Sequence, residues 1–163
     1  MTALTVMTVG GTIDKIYFDA ASEYQIGEPQ IGRLLRLSGI TDFKIVPLMR
    51  KDSLEMTDAD RAVVAEAVRA CEGSKILITH GTDTMAQTAR AIGPCEKTVV
   101  FTGAMQPARI VESDAALNIG FALGVLACAA PGVYVAMNGV AFDPYKVRKN
   151  RAEGRFEASD GGY

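Results

Sequence analysis

The pentapeptide His80–Thr84 (HGTDT) combines an imidazole, two hydroxyls and a carboxylate in five consecutive positions. It follows Lys75–Thr79, whose aliphatic and β-branched residues predict a short buried strand. The next segment, Met85–Ile92, predicts a helix that ends before a Gly-Pro pair. Reactive side chains between a strand and a helix are typical of ligand sites in α/β folds, whereas a simple helix cap is the plainer interpretation.

A hydroxyl group becomes a good nucleophile only when a base takes its proton. The one histidine of the chain, His80, adjoins the strand and is predicted to be structural, with its ring bonded near the base of the junction. The remaining candidate base is a lysine, because burial makes a lysine easier to deprotonate. Backbone amides beside glycines can stabilise an oxyanion. These residue types favour acyl transfer, meaning hydrolysis of a small amide or ester.

Small and hydroxylated residues follow every strand that the sequence predicts. The predicted strands and the clusters after them are Leu4–Val9 with Gly10-Gly11-Thr12, Lys44–Met49 with Asp52-Ser53, Lys75–Thr79 with His80–Thr84, Thr98–Thr102 with Gly103–Pro107, and Val133–Met137 with Asn138-Gly139. The carboxyl ends of parallel strands lie at the same edge of a sheet, where α/β proteins bind ligands. The five clusters are therefore predicted to form one site.

Helical segments alternate with these strands. They are Ile31–Leu37, a helix from the capping-box residues Thr57 and Asp60 to about Cys71, Met85–Ile92, and a helix capped by Ser113-Asp114 that reaches about Ala129. The alternation predicts a single-domain, doubly wound α/β fold of three layers, with helices on both faces of a mainly parallel sheet of five or slightly more strands. Asp14–Pro29 is predicted to be a functional loop or lid, and Val140–Tyr163 a hairpin or an extended tail.

Composition excludes several classes of function. The 163 residues carry a net charge of −2, which provides no basic surface for nucleic acid or for an anionic membrane. Three scattered cysteines and one histidine argue against a zinc site and fit a reducing cytoplasm. The N-terminus lacks the basic region of a signal peptide, and the longest apolar run, Phe121–Met137, is broken by a Pro-Gly pair.

Phosphate binding is the main alternative that the residue types allow. The Gly-Gly-Thr cluster after the first strand matches neither GxGxxG nor GxxxxGK[ST]. The aromatic residues of Tyr17–Tyr24 could cover a flavin, so a flavodoxin-like binder remains open on fold analogy alone.

Two of the clusters resemble the signatures of a known family. Val9–Ile13 (VGGTI) and Ile78–Met85 (ITHGTDTM), in this order, are similar to the two signatures of bacterial-type L-asparaginases, the asparaginase/glutaminase family. The resemblance continues through Tyr24, Asp52–Met56, Gly103–Pro107 and Val147–Lys149. It covers essentially the whole chain, and corresponds to the larger N-terminal domain of the usual two-domain enzyme.

The resemblance implies a role for each matching residue. Thr12 corresponds to the nucleophile on a mobile loop, which here is residues 14–29, and Tyr24 to the loop tyrosine that hydrogen-bonds to it. Thr82, Asp83 and Lys149 correspond to a second triad, in which Lys149 polarises Thr82 and Asp83 also receives the α-ammonium of the substrate. Ser53 corresponds to the residue that holds the α-carboxylate, and Gly11 to a substrate-binding position.

The function implied is hydrolysis of L-asparagine through a β-aspartyl-threonine intermediate, without a metal or an organic cofactor. The sequence differs from the family pattern at two positions. Val9 stands where the signature usually has threonine, and Leu54 stands where many members have a polar residue that contacts the substrate. A glutaminase and a non-catalytic amino-acid-binding module therefore stay open. The expected C-terminal domain is missing from the sequence, and a homo-oligomer that covers the site is predicted in its place.

Overall fold

The computed structural model describes residues 4–159. Its strands are β1 (Leu4–Thr8), β2 (Lys15–Phe18), β3 (Glu23–Ile26), β4 (Phe43–Pro47), β5 (Lys75–Thr79), β6 (Thr98–Thr102), β7 (Gly132–Met137), β8 (Val140–Phe142), β9 (Val147–Asn150) and β10 (Arg155–Ala158). Its helices are α1 (Ile31–Leu37), α2 (Asp58–Ala70), α3 (Met85–Ile92) and α4 (Ala115–Cys128), with 3₁₀ turns at Thr12–Asp14 and Ser53–Glu55.

Six strands form the central sheet in the order β4-β1-β5-β6-β7-β8. The first five are parallel and β8 pairs antiparallel with β7. Helices α2 and α3 contribute to the apolar cluster on one face, and α1 and α4 to the cluster on the other. The prediction of a doubly wound, mainly parallel α/β sheet is confirmed, and all five predicted clusters follow the same edge of that sheet.

The capping residues follow the prediction fully at one helix and only in part at another. At α2, the hydroxyl of Thr57 accepts a hydrogen bond from Asp60 N–H, and the Asp60 carboxylate accepts one from Thr57 N–H. At α4, Ser113 Oγ accepts a hydrogen bond of 3.1 Å from Ala115 N–H, whereas the Asp114 carboxylate makes no side-chain cap. It accepts instead from the N–H groups of Met105 and Gln106, and so holds the cluster after β6 against the start of α4.

The segment predicted as an irregular loop, Asp14–Pro29, is a β-hairpin in the structure. Strands β2 and β3 pair antiparallel, with Tyr17 opposite Tyr24. The hairpin escaped prediction because each strand has only four residues and its turn has no Asn-Gly or Asp-Gly pair.

The C-terminal segment forms two further antiparallel pairs. Asn138 and Gly139 both have positive φ values, 55° and 73°, and make the tight turn that joins β7 to β8. Strands β9 and β10 then pair as a separate hairpin, in which Phe156 lies opposite Lys149. The Asn138 side-chain oxygen accepts a hydrogen bond of 2.7 Å from Phe156 N–H, which ties this hairpin to the edge of the main sheet. Residues 160–163 of the predicted tail lie outside the described residues.

Within residues 4–159, none of the helices combines the length and the apolar character needed to cross a membrane.

Candidate active site

The clusters after β1, β4 and β5 are packed backbone against backbone. A Cβ atom built on Gly11 would lie 2.5 Å from the Gly81 nitrogen, and one built on Gly81 would lie 2.7 Å from Ser53 Oγ. No side chain larger than hydrogen fits between these segments. The residues that precede Thr12 and Thr82 in the chain, Gly11 and Gly81, are therefore in direct contact, and Ser53 packs against Gly81.

Lys149 joins two residues of the HGTDT segment from the far end of the chain. Its Nζ donates a hydrogen bond of 2.7 Å to Thr82 Oγ1 and lies 2.9 Å from Asp83 Oδ1. Thr82 is 5% exposed, and the side chains of Lys149 and Asp83 are 17% and 21% exposed. The ammonium group is therefore held in a fixed, partly desolvated position, where it polarises the threonine hydroxyl. The structure brings these three predicted residues together.

Ser53 connects the second cluster to the third. Its buried hydroxyl accepts a hydrogen bond of 3.1 Å from Asp83 N–H. The Ser53 carbonyl accepts one of 2.7 Å from the Thr84 hydroxyl. Because Ser53 Oγ acts as an acceptor in this contact, its own proton is available to a ligand carboxylate. Thr84 does not cap α3, since its hydroxyl makes no cap hydrogen bond, so the helix-cap interpretation fails for this residue.

Thr12 and Tyr24 are placed differently. Thr12 is partly buried and begins the 3₁₀ turn directly after Gly11. Tyr24 lies on β3 with 51% exposure, and its ring packs edge-on against Tyr17 at a centroid distance of 5.5 Å. In the described part of the chain no hydrogen bond joins Tyr24 to Thr12. The hairpin therefore does not bring Tyr24 to the cluster in this conformation.

His80 is fully buried beneath the site and bonded within its own segment, as predicted. Its Nδ1 lies 2.7 Å from the Gly81 carbonyl, and its Nε2 lies 2.8 Å from the Thr88 hydroxyl. A carbonyl only accepts, so Nδ1 carries the proton and Nε2 accepts from Thr88. Burial lowers the pKa of His80 to about 4. The neutral ring is a structural support for the HGTDT turn.

Asp14 is a buried carboxyl that the sequence analysis treated only as the first residue of a loop. Its Oδ1 accepts from Gln30 N–H at 2.9 Å, and its backbone carbonyl accepts from Gly27 N–H at 2.8 Å. It thus ties both ends of the β2–β3 hairpin to the turn that carries Thr12. Burial raises the pKa of Asp14 to about 6. No pattern in the sequence distinguishes it from a solvent-exposed aspartate.

Asp14 and His80 make opposite contributions to the pH dependence of stability. The pKa of Asp14 is raised from 3.8, so its stabilising contribution is complete below about pH 4 and is lost as pH rises through 6. The pKa of His80 is lowered from 6.5, so its contribution is present above that pH and is lost as pH falls through 4. Between pH 4 and 6.5 the two trends oppose each other.

Replacing Asp14 with asparagine is expected to stabilise the protein at pH 7.5 by about 2 kcal/mol, because the amide oxygen still accepts from Gln30 N–H without a buried charge. The gain is expected to shrink toward zero at pH 4.5, where Asp14 is already protonated. Urea unfolding at both pH values measures the difference. Asp19→Asn, at an exposed hairpin position, is the control. An equal effect of Asp14→Asn at both pH values would contradict the assignment.

A groove of about 640 Å³ lies at the opposite edge of the sheet, lined by Thr5, Lys44, Cys71, Gly73 and neighbouring residues. Cys71 Sγ contacts the Thr5 hydroxyl at 3.7 Å there. The groove lacks the converging hydroxyls and paired charges of the other edge. Among residues 4–159, no group of three or more His, Cys, Asp or Glu side chains is arranged to hold a metal ion.

The model of the N-terminal asparaginase family matches residues 3–159. The chain belongs to the asparaginase family. Its sequence is 33% identical over 159 residues to a Haemophilus influenzae protein named "Probable L-asparaginase periplasmic", a match that covers 90% of this chain and 46% of that protein.

Two solved asparaginase structures superimpose closely on this member of the family. The thermostable L-asparaginase from Thermococcus kodakarensis has a TM-score of 0.83 at 28% identity, and covers 95% of this chain and 50% of its own. The "Probable Cytoplasmic L-asparaginase" from Campylobacter jejuni has a TM-score of 0.83 at 26% identity, and covers 98% and 54%. The chain thus spans about half the length of these relatives. Their names point to two compartments, so the cytoplasmic location remains a prediction.

Arg151 is a site residue that the sequence analysis missed. Its guanidinium lies 3.0 Å from Asp83 Oδ1, the same oxygen that Lys149 contacts. The available signal was only its place in the cation-rich run Lys146–Arg151, because Arg151 itself lies in the turn that follows β9. The family resemblance implies Lys149 alone as the cation of the site.

Proposed function

We propose that the chain hydrolyses L-asparagine to L-aspartate and ammonia through a threonine nucleophile and a β-aspartyl-enzyme intermediate. The observation that carries the proposal is the contact of Lys149 Nζ with both Thr82 Oγ1 and Asp83 Oδ1. A polarised hydroxyl beside a lysine and a carboxylate is the arrangement that nucleophilic acyl transfer requires. Membership in the asparaginase family supports the amide chemistry over the flavin-binding alternative.

The substrate is held through its two α-substituents in this proposal. The Ser53 hydroxyl donates a hydrogen bond to the α-carboxylate, and the Asp83 carboxylate pairs with the α-ammonium. The β-amide then extends toward Thr12 and Thr82, over the backbone of Gly11. These contacts orient the reacting carbon beside a hydroxyl, which converts a bimolecular step into one within the complex.

The reaction has two steps. A threonine oxygen attacks the side-chain amide carbon, the C–N bond breaks, and the hydroxyl proton leaves with the nitrogen as ammonia. Water then attacks the β-aspartyl ester, releases L-aspartate and restores the hydroxyl. In its neutral form, Lys149 takes the proton of the Thr82 hydroxyl and passes it to the leaving nitrogen, and Asp83 balances the positive charge that the lysine carries in between. No metal or organic cofactor is needed for either step.

The β2–β3 hairpin is proposed to be the mobile lid of the site. Tyr24 would have to move from its exposed position to reach Thr12, and the hairpin carries it on two short strands that are separate from the main sheet. Closure of such a segment would exclude water from the amide. We also propose that the chain assembles into a homo-oligomer, because the site is open at the surface and a second copy would cover it.

Thr12→Ala and Thr82→Val are each expected to lower ammonia release from L-asparagine by at least about 10³-fold, because each removes a hydroxyl that the acyl transfer uses. The measurement is ammonia production from L-asparagine and, separately, from L-glutamine. Thr41→Ala is the control, since Thr41 is exposed and precedes β4 at the opposite edge of the sheet.

Turnover in both threonine variants at the wild-type level would contradict the proposal. If the wild type releases no ammonia from either amide while L-aspartate raises its melting temperature, the chain is the non-catalytic amino-acid-binding module. Glutamine is kept as a second substrate because of Leu54. This residue adjoins Ser53 and is 63% exposed. It has no polar group that could discriminate asparagine from the longer glutamine by a hydrogen bond.

A further inference from the structure

One oxygen of the Asp83 carboxylate is paired with two cations. Lys149 Nζ lies 2.9 Å from Oδ1, and Arg151 Nη2 lies 3.0 Å from the same atom. The carboxylate therefore carries one negative charge between two positive ones. The neighbouring carboxylate, Asp52, is paired with Lys15 at 3.3 Å and also interacts electrostatically with Lys149. With this pair included, two carboxylates face three cations, so the local charge stays positive by one.

This balance is unfavourable for a further cation. In the proposed function, Asp83 receives the α-ammonium of L-asparagine, and that ammonium would approach a group whose local charge is already positive. Like charges at such distances repel, and the repulsion is strongest where water is partly excluded. Binding of an α-ammonium would therefore be most favourable if one of the two cations moved away.

Of the two cations, Arg151 is the one whose side chain can move away from Asp83. Its side chain is 66% exposed, and it lies in the turn between β9 and β10. Lys149 is 17% exposed and is held in addition by Thr82. An exposed ion pair contributes little to stability, so the cost of separating Arg151 from Asp83 is small. Moving Lys149 would instead remove the partner of the threonine hydroxyl.

We propose that Arg151 is a displaceable counter-ion that competes with the α-ammonium of the ligand for Asp83 and so sets the specificity of the site. It lowers affinity for ligands that carry an α-ammonium, and it has no such effect on dicarboxylates or amides that lack one. The inference rests on the proposed function only in taking Asp83 as the ammonium partner. It does not depend on whether hydrolysis follows.

The experiment compares two ligands that differ by one ammonium group. L-Aspartate and succinate are titrated calorimetrically into the wild type, Arg151→Gln and Arg148→Gln. Arg148 is the matched control because it is 67% exposed, lies on the same hairpin and pairs with Glu157. Both substitutions remove one positive charge from equally exposed positions, so a general change in net charge would affect them alike.

Arg151→Gln is expected to bind L-aspartate roughly two- to five-fold more tightly than the wild type, the range expected for loss of one exposed competing ion pair. Its affinity for succinate is expected to stay the same or fall. Arg148→Gln is expected to leave the ratio of the two affinities unchanged. An equal change for both ligands, no change for L-aspartate, or no binding of L-aspartate to the wild type would overturn the inference.

Ammonia release separates this inference from the proposed function. If L-aspartate binding shows the expected Arg151 effect but no amide is hydrolysed, hydrolysis is rejected and the role of Arg151 stands. If L-asparagine is hydrolysed and Arg151→Gln changes neither affinity, the role of Arg151 is rejected and hydrolysis stands.

Discussion

Lys149→Met is expected to lower asparagine turnover by about 10²- to 10⁴-fold, the range typical for removal of a group that transfers a proton. Methionine keeps most of the length of the side chain and removes the ammonium that contacts Thr82 Oγ1 and Asp83 Oδ1. The fold should persist, because Lys149 lies outside the two apolar clusters that pack the helices against the sheet. The measurement is the steady-state rate of ammonia release, with circular dichroism to check the fold.

Lys146→Met is the control for this experiment. Lys146 is exposed and lies just before β9, so its loss removes the same charge without touching the site. Its turnover should match the wild type. A Lys149→Met variant that keeps more than a tenth of wild-type turnover would show that proton transfer at Thr82 does not pass through this lysine.

Gly11→Ala is expected to destabilise the fold by about 3 kcal/mol or more and to abolish turnover, because two penalties add. The φ and ψ angles of Gly11, 90° and −175°, belong to a region that only glycine occupies readily. The new Cβ would also lie 2.5 Å from the Gly81 nitrogen, which is backbone and cannot rotate away. The turns that carry Thr12 and Thr82 would be pushed apart. Urea unfolding measures the loss of stability.

Gly39→Ala separates the two penalties. Gly39 has a φ of 77°, and a Cβ there would have nothing within 4 Å. This variant should lose only about 1 kcal/mol from the backbone conformation. If Gly11→Ala is no less stable than Gly39→Ala, the close contact between the segments after β1 and β5 is not a constraint on the fold.

The main sheet could be predicted from sequence because its signals are local. Buried strands such as β5 (Lys75–Thr79) consist mainly of aliphatic and β-branched residues, and α2 begins with a capping box that involves only Thr57 and Asp60. The β2–β3 hairpin was not predicted, since its strands have only four residues each and no recognisable turn pair joins them. The extra strand β8 has a signal in the Asn138-Gly139 pair, because both residues take the positive φ values of a tight hairpin turn.

The sequence by itself determined that small or polar residues follow each parallel strand, with hydroxyls or carboxylates after three of the five, and therefore which sheet edge holds the candidate site. It could not determine the contacts of Asp14, Asp114 and Arg151. Asp14 is buried by the packing of a hairpin. The Asp114 carboxylate accepts hydrogen bonds from Met105 N–H and does not cap the helix. Arg151 reaches Asp83 across 68 residues of sequence because the β9–β10 hairpin docks against the end of the sheet. Such contacts depend on where distant segments meet in space, and an ionisable side chain has the same sequence signature whether it is solvated, buried or paired.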